Sequence, residues 1–512
     1  MSVLMLGVSG CRGLVGSSLS PAVIARYAGA YGAWLSARAN GGGGGSGGGP
    51  ARRVRVVLAR DGRAGCEMVW ASAVGGLLGA GCDVVDLGVA MTPTAAIMTD
   101  AYVRGEYGGK EMYTAGMVLT ASHNPQEWNG LKCLLADEPG EEGAAACAPP
   151  AASADEIIKL YHRSATEAVG LAGWDGLGRL VNEEGGVEYH VARVLDALEE
   201  SGLTSDASTL GGGLRVAVDS VNGSGGEGAR LLLEALGCEE CLLLGTEETG
   251  IFSHPPEPTA ENLSGAGGLA DAVREAGCDV GFAQDPDADR LAILDERGSY
   301  IGEEYTLALG ARAVLERGVG EGWVVTNLST SRMLEDVAGG VNAKVERTPV
   351  GEAHVVEAMK RTRAVVGGEG NGGVIWPRVT YVRDSLAAMA LTIWLISAKG
   401  GGRGEKRPLS SIVKTMHSYA IEKRKVSLQR KEDAAPAVAA IARAHASEKV
   451  DTRDGCRVDF VSRRAWLHVR ASNTEPIMRL IAEAADRNAA NQILDDALGI
   501  IASSGSSAAN AR

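Results

Sequence analysis

Apolar residues follow two rhythms along the chain. Continuous runs such as VRVVLA (Val54 to Ala59) and CDVVDLG (Cys82 to Gly88) predict strands covered on both faces. Between them, Glu67 to Leu78 reads as a helix closed by Gly79 and Gly81, which completes a βαβ unit. The same grammar returns at Leu214 to Leu244 and at Gly322 to Val366, predicting three α/β units in tandem. The C-terminal part differs: Val458 to Phe460 and Ala465 to Val469 read as strands between two alanine-rich helices, a smaller α+β unit. At the other end the chain opens as a loop, and Ser20-Pro21 supplies the N-cap and first turn of a helix running to about Ala39. Three stretches look peripheral. They are the linker GGGGGSGGG (Gly41 to Gly49), a surface loop from Asp137 to Asp155, and a disordered tail, SSGSSAANAR.

With 512 residues, the chain exceeds what one core holds. Hydrophobic residues at 45% and charged residues at 22% exclude wholesale disorder. The 50 basic and 64 acidic residues leave a net charge of −14, which opposes binding to phosphate backbones, so no nucleic-acid partner is expected. Nine scattered cysteines argue against a disulfide framework, and the lone CxxC of Cys238 and Cys241 reads as structural. No signal peptide is visible, and the longest apolar run, Ser385 to Ser397, is too short to span a bilayer. A cytoplasmic protein with no membrane partner is the expectation.

Four segments carry chemistry. In MVLTASHNP (Met117 to Pro125) a strand feeds a loop bearing Ser122 and His123, at the strand end where α/β folds place ligands. DPDADR (Asp285 to Arg290) sets three carboxylates at alternate positions, pointing to one side of an extended loop. Such crowding calls for a cation, and hard oxygens suit Mg²⁺. An EF-hand is excluded because Arg290 stands where its turn demands glycine and the flanks read as strands. GGEGNGG (Gly367 to Gly373) offers close backbone approach, with Glu369 and Asn371 as polar readers of hydroxyls. RASNTEP (Arg470 to Pro476) combines a guanidinium fork with Ser472, Asn473 and Thr474, a set fitted to one phosphate.

In this order and spacing the four resemble the α-D-phosphohexomutase family of phosphoglucomutases, phosphomannomutases and phosphoglucosamine mutases. GVSGCRG (Gly7 to Gly13), ARDGR (Ala59 to Arg63), NGLK (Asn129 to Lys132), HPPEPTAENL (His254 to Leu263) and RTPVGEAH (Arg347 to His354) extend the resemblance over nearly the whole chain. It implies a heart-shaped molecule of four domains, residues 1–185, 186–299, 300–403 and 404–503, around a central cleft, with 504–512 as the tail. It implies an isomerase interconverting hexose 1-phosphates and 6-phosphates. Ser122 would be phosphorylated and a bisphosphorylated sugar would form on the way, with glucose 1,6-bisphosphate as activator. Mg²⁺ would be held by Asp285, Asp287, Asp289 and an oxygen on Ser122. Arg12, Arg290 and Lys132 would add positive charge, Lys132 also serving in acid/base work if neighbouring cations depress its pKa. Glu369 and Asn371 would read the sugar, and Arg470, Ser472, Asn473 and Thr474 would hold its non-reacting phosphate.

Departures sharpen this reading. Pro286 stands where many relatives have glycine, and the sugar loop ends in Gly373 where better-known bacterial members end in histidine. Lys132, His123 and His354 are therefore the acid/base candidates. GEGNGG with RASNTEP resembles the archaeal-type branch, and Asn473 disfavours the usual bacterial phosphoglucosamine mutase. One rival is a dinucleotide-dependent oxidoreductase, from GSGGEG (Gly223 to Gly228), but that run is detached from its strand by four residues. Another is a non-catalytic sugar-phosphate sensor, which would need neither Ser122 nor the aspartates.

Overall fold

A computed structural model describes residues 4–41, 52–109, 111–136, 145–167, 169–247, 249–316, 322–398, 400, 404–471, 477–503 and 508–511. The strands assemble into four sheets in chain order. The first has seven strands, in the order Met5–Gly7, Gly10–Leu14, Trp128–Leu135, Tyr113–Leu119, Val54–Arg60, Asp83–Val89 and Leu180–Asn182. The second has four: Leu291–Leu294, Val280–Gln284, Arg215–Asp219 and Glu240–Leu244. The third runs Lys344–Thr348, Trp323–Asn327, Val366–Glu369 and Gly373–Ile375. In these three sheets the continuous apolar runs pair in parallel, as their two-sided burial requires. The fourth sheet is antiparallel throughout, and the helices Ala434–Ala444 and Arg487–Ser503 pack on it.

Ser20 caps the helix Pro21–Ala39, its hydroxyl accepting from the Val23 amide. That helix lies tight against Cys66–Gly79. A Cβ on Gly76 would stand 2.3 Å from the Ala25 carbonyl oxygen, so only glycine permits the crossing. The helix Ser385–Ile396 is buried at every position. Its residues join one apolar cluster with Val216 and Phe282 of the second unit and Leu307 and Val324 of the third. Beside it, His190 bridges Thr94 of the first unit, at 2.9 Å, and Asp384 of the third, at 3.0 Å. The first three units are thus locked in one arrangement. No helix among the described residues is long and apolar enough to cross a membrane.

Three peripheral expectations are corrected. The opening segment is a hairpin, Met5–Gly7 with Gly10–Leu14, which extends the first sheet and puts Arg12 on a strand. In the segment expected as a loop from Asp137 to Asp155, residues 137–144 lie outside the described residues, but Ala145 to Cys147 are buried and Ala151–Arg163 is a helix. Its buried face, Ala154, Ile157 and Tyr161, is amphipathic patterning masked by the Pro149-Pro150 pair before it. In the tail, Ala508–Ala511 pairs with the edge of Ala420–Leu428. Residues 41–49 were expected as linker, and 42–49 lie outside the described residues.

Candidate active site

Ser122 leaves the strand Tyr113–Leu119 through a loop in which its own φ is +52°, the left-handed region. A non-glycine residue there costs about 1–2 kcal/mol, so the surroundings must hold it. They do. The Ser122 amide donates to Thr120 Oγ1 at 2.8 Å, and its carbonyl accepts from Arg63 Nη2 at 2.7 Å. Arg63 in turn pairs with Asp61 at 2.8 Å, both side chains being fully buried. The ARDGR segment therefore clamps the serine loop. Ser122 Oγ donates to Asp285 Oδ2 at 3.0 Å and lies 3.3 Å from His123 Nδ1.

Asp285, Asp287 and Asp289 are fully buried, with one oxygen from each within 4.8 Å of the others. The expected convergence is present, but its geometry is not an extended loop. The Ala288 amide donates to the Asp285 carbonyl at 2.9 Å, and Ala288 has φ +53°, so a tight turn gathers the carboxylates. The GSGGEG run backs this turn. A Cβ on Gly223 would fall 2.6 Å from the Pro286 carbonyl oxygen, and the Ser224 amide donates to that oxygen at 2.9 Å. Those glycines serve the acidic loop, which removes their dinucleotide reading.

The three carboxylates fit a divalent cation. Asp287 Oδ1 and Asp289 Oδ1 are buried without a hydrogen-bond partner, and the donor set is all oxygen, as Mg²⁺ prefers. Burial and the adjacent Asp287 and Asp289 push the Asp285 carboxyl well above its usual range. Burial also raises Asp289, but Arg383 and Lys132 outweigh it and hold that group well below the usual range. Asp287 is steadied by Thr92, whose Oγ1 donates to Asp287 Oδ2 at 2.7 Å.

Cations ring the aspartates. Lys132 Nζ lies 2.8 Å from Asp289 and 3.9 Å from Asp287. Arg290 Nε is 3.9 Å from Asp289, and Arg12 feels Asp287 and Arg290. The condition set for acid/base work by Lys132, a depressed pKa, is not met: burial lowers its pKa, but Asp289, Glu352 and Asp287 outweigh that and raise it. Lys132 is held as an ammonium. His123 goes the other way, lowered to about 3 by burial and by Arg290 and Arg12, so its ring is neutral. His354 lies on the helix Glu352–Thr362, and its amide donates to the Gly351 carbonyl; no described contact carries it to Ser122.

The sugar-loop residues are brought in from the third sheet. Glu369 accepts from Asn327 Nδ2 at 2.8 Å and from Arg383 Nη1 at 3.1 Å, so both of its oxygens are engaged. Asn371 Oδ1 is buried without a partner. Arg470, on the strand Ala465–Ala471, lies 3.4 Å from Asp454 and is not brought to the aspartates. Ser472, Asn473 and Thr474 lie outside the described residues. Sequence reasoning missed Arg383, Glu352, Asn327 and Thr92. An Arg-Asp pair preceding a helix without a charged residue was the available signal for Arg383.

A serine hydroxyl against a buried triaspartate, ringed by cations, defines a phosphoryl-transfer site on a four-unit α/β frame. Comparison with known proteins gives the family. Models described as phosphoglucomutase/phosphomannomutase α/β/α domains I, II and III match residues 4–143, 194–298 and 302–419, and the C-terminal domain matches 424–500. "Probable phosphoglucosamine mutase" of Methanopyrus kandleri is 32% identical over 97% of each chain. "Phosphoglucomutase/phosphomannomutase" of Thermococcus kodakarensis is 31% identical over 97% of each. A phosphoglucomutase/phosphomannomutase family protein of Burkholderia thailandensis has the same fold, with TM-score 0.74, 24% identity and coverage of 98% of this chain and 100% of that one. The chain belongs to the phosphoglucomutase/phosphomannomutase family, whose members are isomerases that move phosphate within a hexose.

Proposed function

We propose that this chain interconverts hexose 1-phosphate and hexose 6-phosphate, of the phosphoglucomutase/phosphomannomutase type, through phosphorylated Ser122. The observation that carries this is Ser122 Oγ placed 3.0 Å from Asp285, beside two buried carboxylate oxygens that lack a hydrogen-bond partner. Phosphoserine gives its phosphoryl to the free hydroxyl of a sugar phosphate. The bisphosphate turns over and returns its other phosphoryl to Ser122, so atoms balance and the serine ends phosphorylated. Asp285, Asp287, Asp289 and a phosphoserine oxygen would hold Mg²⁺, which when bound neutralises charge on the transferring phosphoryl. His123, neutral and 3.3 Å from Ser122 Oγ, is placed to move the serine proton. Lys132, Arg12 and Arg290 bind and orient phosphate oxygens as fixed cations. Asn371 offers a free acceptor to a sugar hydroxyl, while Glu369 reads the sugar from a position fixed by Asn327 and Arg383. Arg470 with Ser472, Asn473 and Thr474 holds the second phosphate. Glucose 1,6-bisphosphate would load the serine. The units are taken to divide near residues 185, 299 and 403, and the nine cysteines, all free thiols, accord with a cytoplasmic setting.

A second reading, conversion of glucosamine 6-phosphate to glucosamine 1-phosphate, draws support from the name of the Methanopyrus kandleri relative. A coupled assay on the 1-phosphates of glucose, mannose and glucosamine, with Mg²⁺ and catalytic glucose 1,6-bisphosphate, separates the two. Turnover of glucosamine 1-phosphate alone would move the assignment to the second reading, and turnover of none would remove both.

A further inference from the structure

We propose that Arg383 is a positioning residue that ties the sugar-reading loop to the cation-binding aspartates, from the volume that a side chain at position 373 would fill. This deepens the mutase reading and rests on it. The buried guanidinium reaches three carboxylates from three elements. Nη2 donates to Asp289 Oδ2 at 2.7 Å, and Nη1 donates to Glu369 Oε2 at 3.1 Å. Nε lies 2.9 Å from Glu352 Oε2, an ion pair not aligned as a hydrogen bond. A planar fork meets these three carboxylates through three separate nitrogens, whereas the donors of an ammonium all radiate from one.

Gly373 makes room for it. A Cβ there would stand 2.2 Å from Arg383 Cδ and 2.9 Å from Cγ, so any side chain at position 373 collides with the arginine stem. The stem is anchored from both sides. The Asp384 amide donates to the Val374 carbonyl at 2.8 Å, and the Asp384 carboxylate accepts from the Leu386 amide at 2.8 Å and lies 3.0 Å from His190. The division of Asp289 is the consequence that matters. Arg383 and Lys132 both take Oδ2, which leaves Oδ1 without a hydrogen bond, 3.9 Å from Arg290 Nε, and fixed in direction for a cation. Groups that orient a metal ligand in this way carry about 10–100-fold in metal affinity. Glu369 depends on the same guanidinium, so cation binding and sugar binding share one support.

The test uses the whole chain with Arg383→Ala, Arg383→Lys, Gly373→Ala and the Arg383→Ala/Gly373→Ala double variant. Readouts are Mg²⁺ affinity by titration calorimetry, kcat and KM separately, and thermal unfolding as a check on folding. Arg383→Ala should lower Mg²⁺ affinity by about tenfold or more and raise KM. Arg383→Lys should recover part of the Mg²⁺ affinity but not KM, because one ammonium cannot hold Asp289 and Glu369 together. Gly373→Ala should reproduce the Mg²⁺ defect by displacing the stem and should add nothing to that defect in the Arg383→Ala background; its KM also registers Asn371, whose Oδ1 lies 3.1 Å from the new Cβ. If Arg383→Ala does not fold, Gly373→Ala alone decides. Folded variants with unchanged Mg²⁺ affinity, or additive effects on Mg²⁺ affinity in the double variant, would overturn the proposal.

Independently, the geometry points to a docking edge for a second copy of this chain on the first sheet. Leu171, Trp174, Leu177, Leu180 and Val181 are exposed large hydrophobics within one short stretch, Trp174 at 89%. They end in Leu180–Asn182, the edge strand of the first sheet. The Arg179 carbonyl accepts from the Val84 amide at 2.8 Å, and the Glu183 amide donates to the Asp86 carbonyl at 2.9 Å, so residues 179, 181 and 183 face inward. Leu180 and Asn182, by alternation, turn their backbone groups outward. An antiparallel copy about a two-fold axis at Val181 pairs those outward groups, Leu180 against Asn182, and sets Arg179 opposite Glu183. Glu183 spends one oxygen on the Tyr102 hydroxyl and keeps the other. The strand is thus self-complementary in hydrogen bonding and in charge, which a chain of net charge −14 needs in order to meet itself.

Sedimentation velocity at micromolar concentration tests this. The unmodified chain should be a dimer, and Arg179→Glu and Glu183→Arg should each be monomeric, because each sets like charges opposite. Mixed one to one, the two variants should restore a dimer. A monomeric unmodified chain, or dimers that persist in both variants, would overturn it.

Discussion

At the scale of single residues, the site is a set of charges that make sense only together. Ser122→Ala should abolish all but a trace of turnover and remove phosphate detected by intact mass; full activity with phosphate on another residue would end the phosphoserine reading. Asp287→Asn should leave the fold intact, since Thr92 still meets the amide, while Mg²⁺ affinity and turnover both fall. Unchanged calorimetric titration would show that the cation, if any, sits elsewhere. Arg63→Ala should be severe without touching substrate. It strands fully buried Asp61, and breaking such a pair costs about 3–5 kcal/mol, read by denaturant unfolding. Ser122 and the aspartates were legible because each motif is local and its chemistry is explicit. Arg383 was not, because its partner Asp289 is 94 residues away and no spacing rule joins them. The direction of the Lys132 shift was hidden for the same reason: it turns on a carboxylate 2.8 Å away that belongs to another unit.

At the scale of elements, capping and periodicity decided what could be read. The helix Pro21–Ala39 begins where its serine and proline indicate, whereas the hairpin at the chain start is concealed by three glycines in GVSGCRG. The acidic loop was read for convergence correctly and for shape wrongly, since alternation cannot reveal the left-handed Ala288 that closes the turn. The loop carrying HPPEPTAENL has a consequence of its own. His254 Nε2 lies 3.0 Å from Asp219 Oδ2 at the end of the strand Arg215–Asp219. Burial alone would lower its pKa, but Asp219 outweighs burial and raises it above 6.5. A group raised in the folded state contributes stability fully present below its unfolded pKa and lost as pH rises through its folded pKa. His254→Gln should therefore destabilise most under mildly acidic conditions, and its deficit in urea unfolding should shrink in alkali. A deficit constant across that range would mean the pair contributes no charge.

At the scale of the whole molecule, the units are joined by two different kinds of contact. The first three share apolar clusters: Met91 and Ile97 of the first join the second and third around the helix Ser385–Ile396, and Ala59 and Val118 pack with Val325, Met359 and Ile375. The apolar cluster of the fourth contains only residues from Val426 onward. Its links to the third unit are polar. His468 meets Ser329 at 2.8 Å, Arg457 donates to the Leu328 carbonyl, and Lys423 pairs with Glu303 at 2.6 Å. Polar interfaces weaken with salt and open at lower cost than shared cores. The C-terminal unit should accordingly separate or unfold first. Hydrogen exchange in rising urea should release amides such as Leu467 and Leu480 before Val218 and Ala388, and added salt should widen the gap. Simultaneous release of all four would mean that the polar joint is as strong as the core beneath it, and that the chain unfolds as one body.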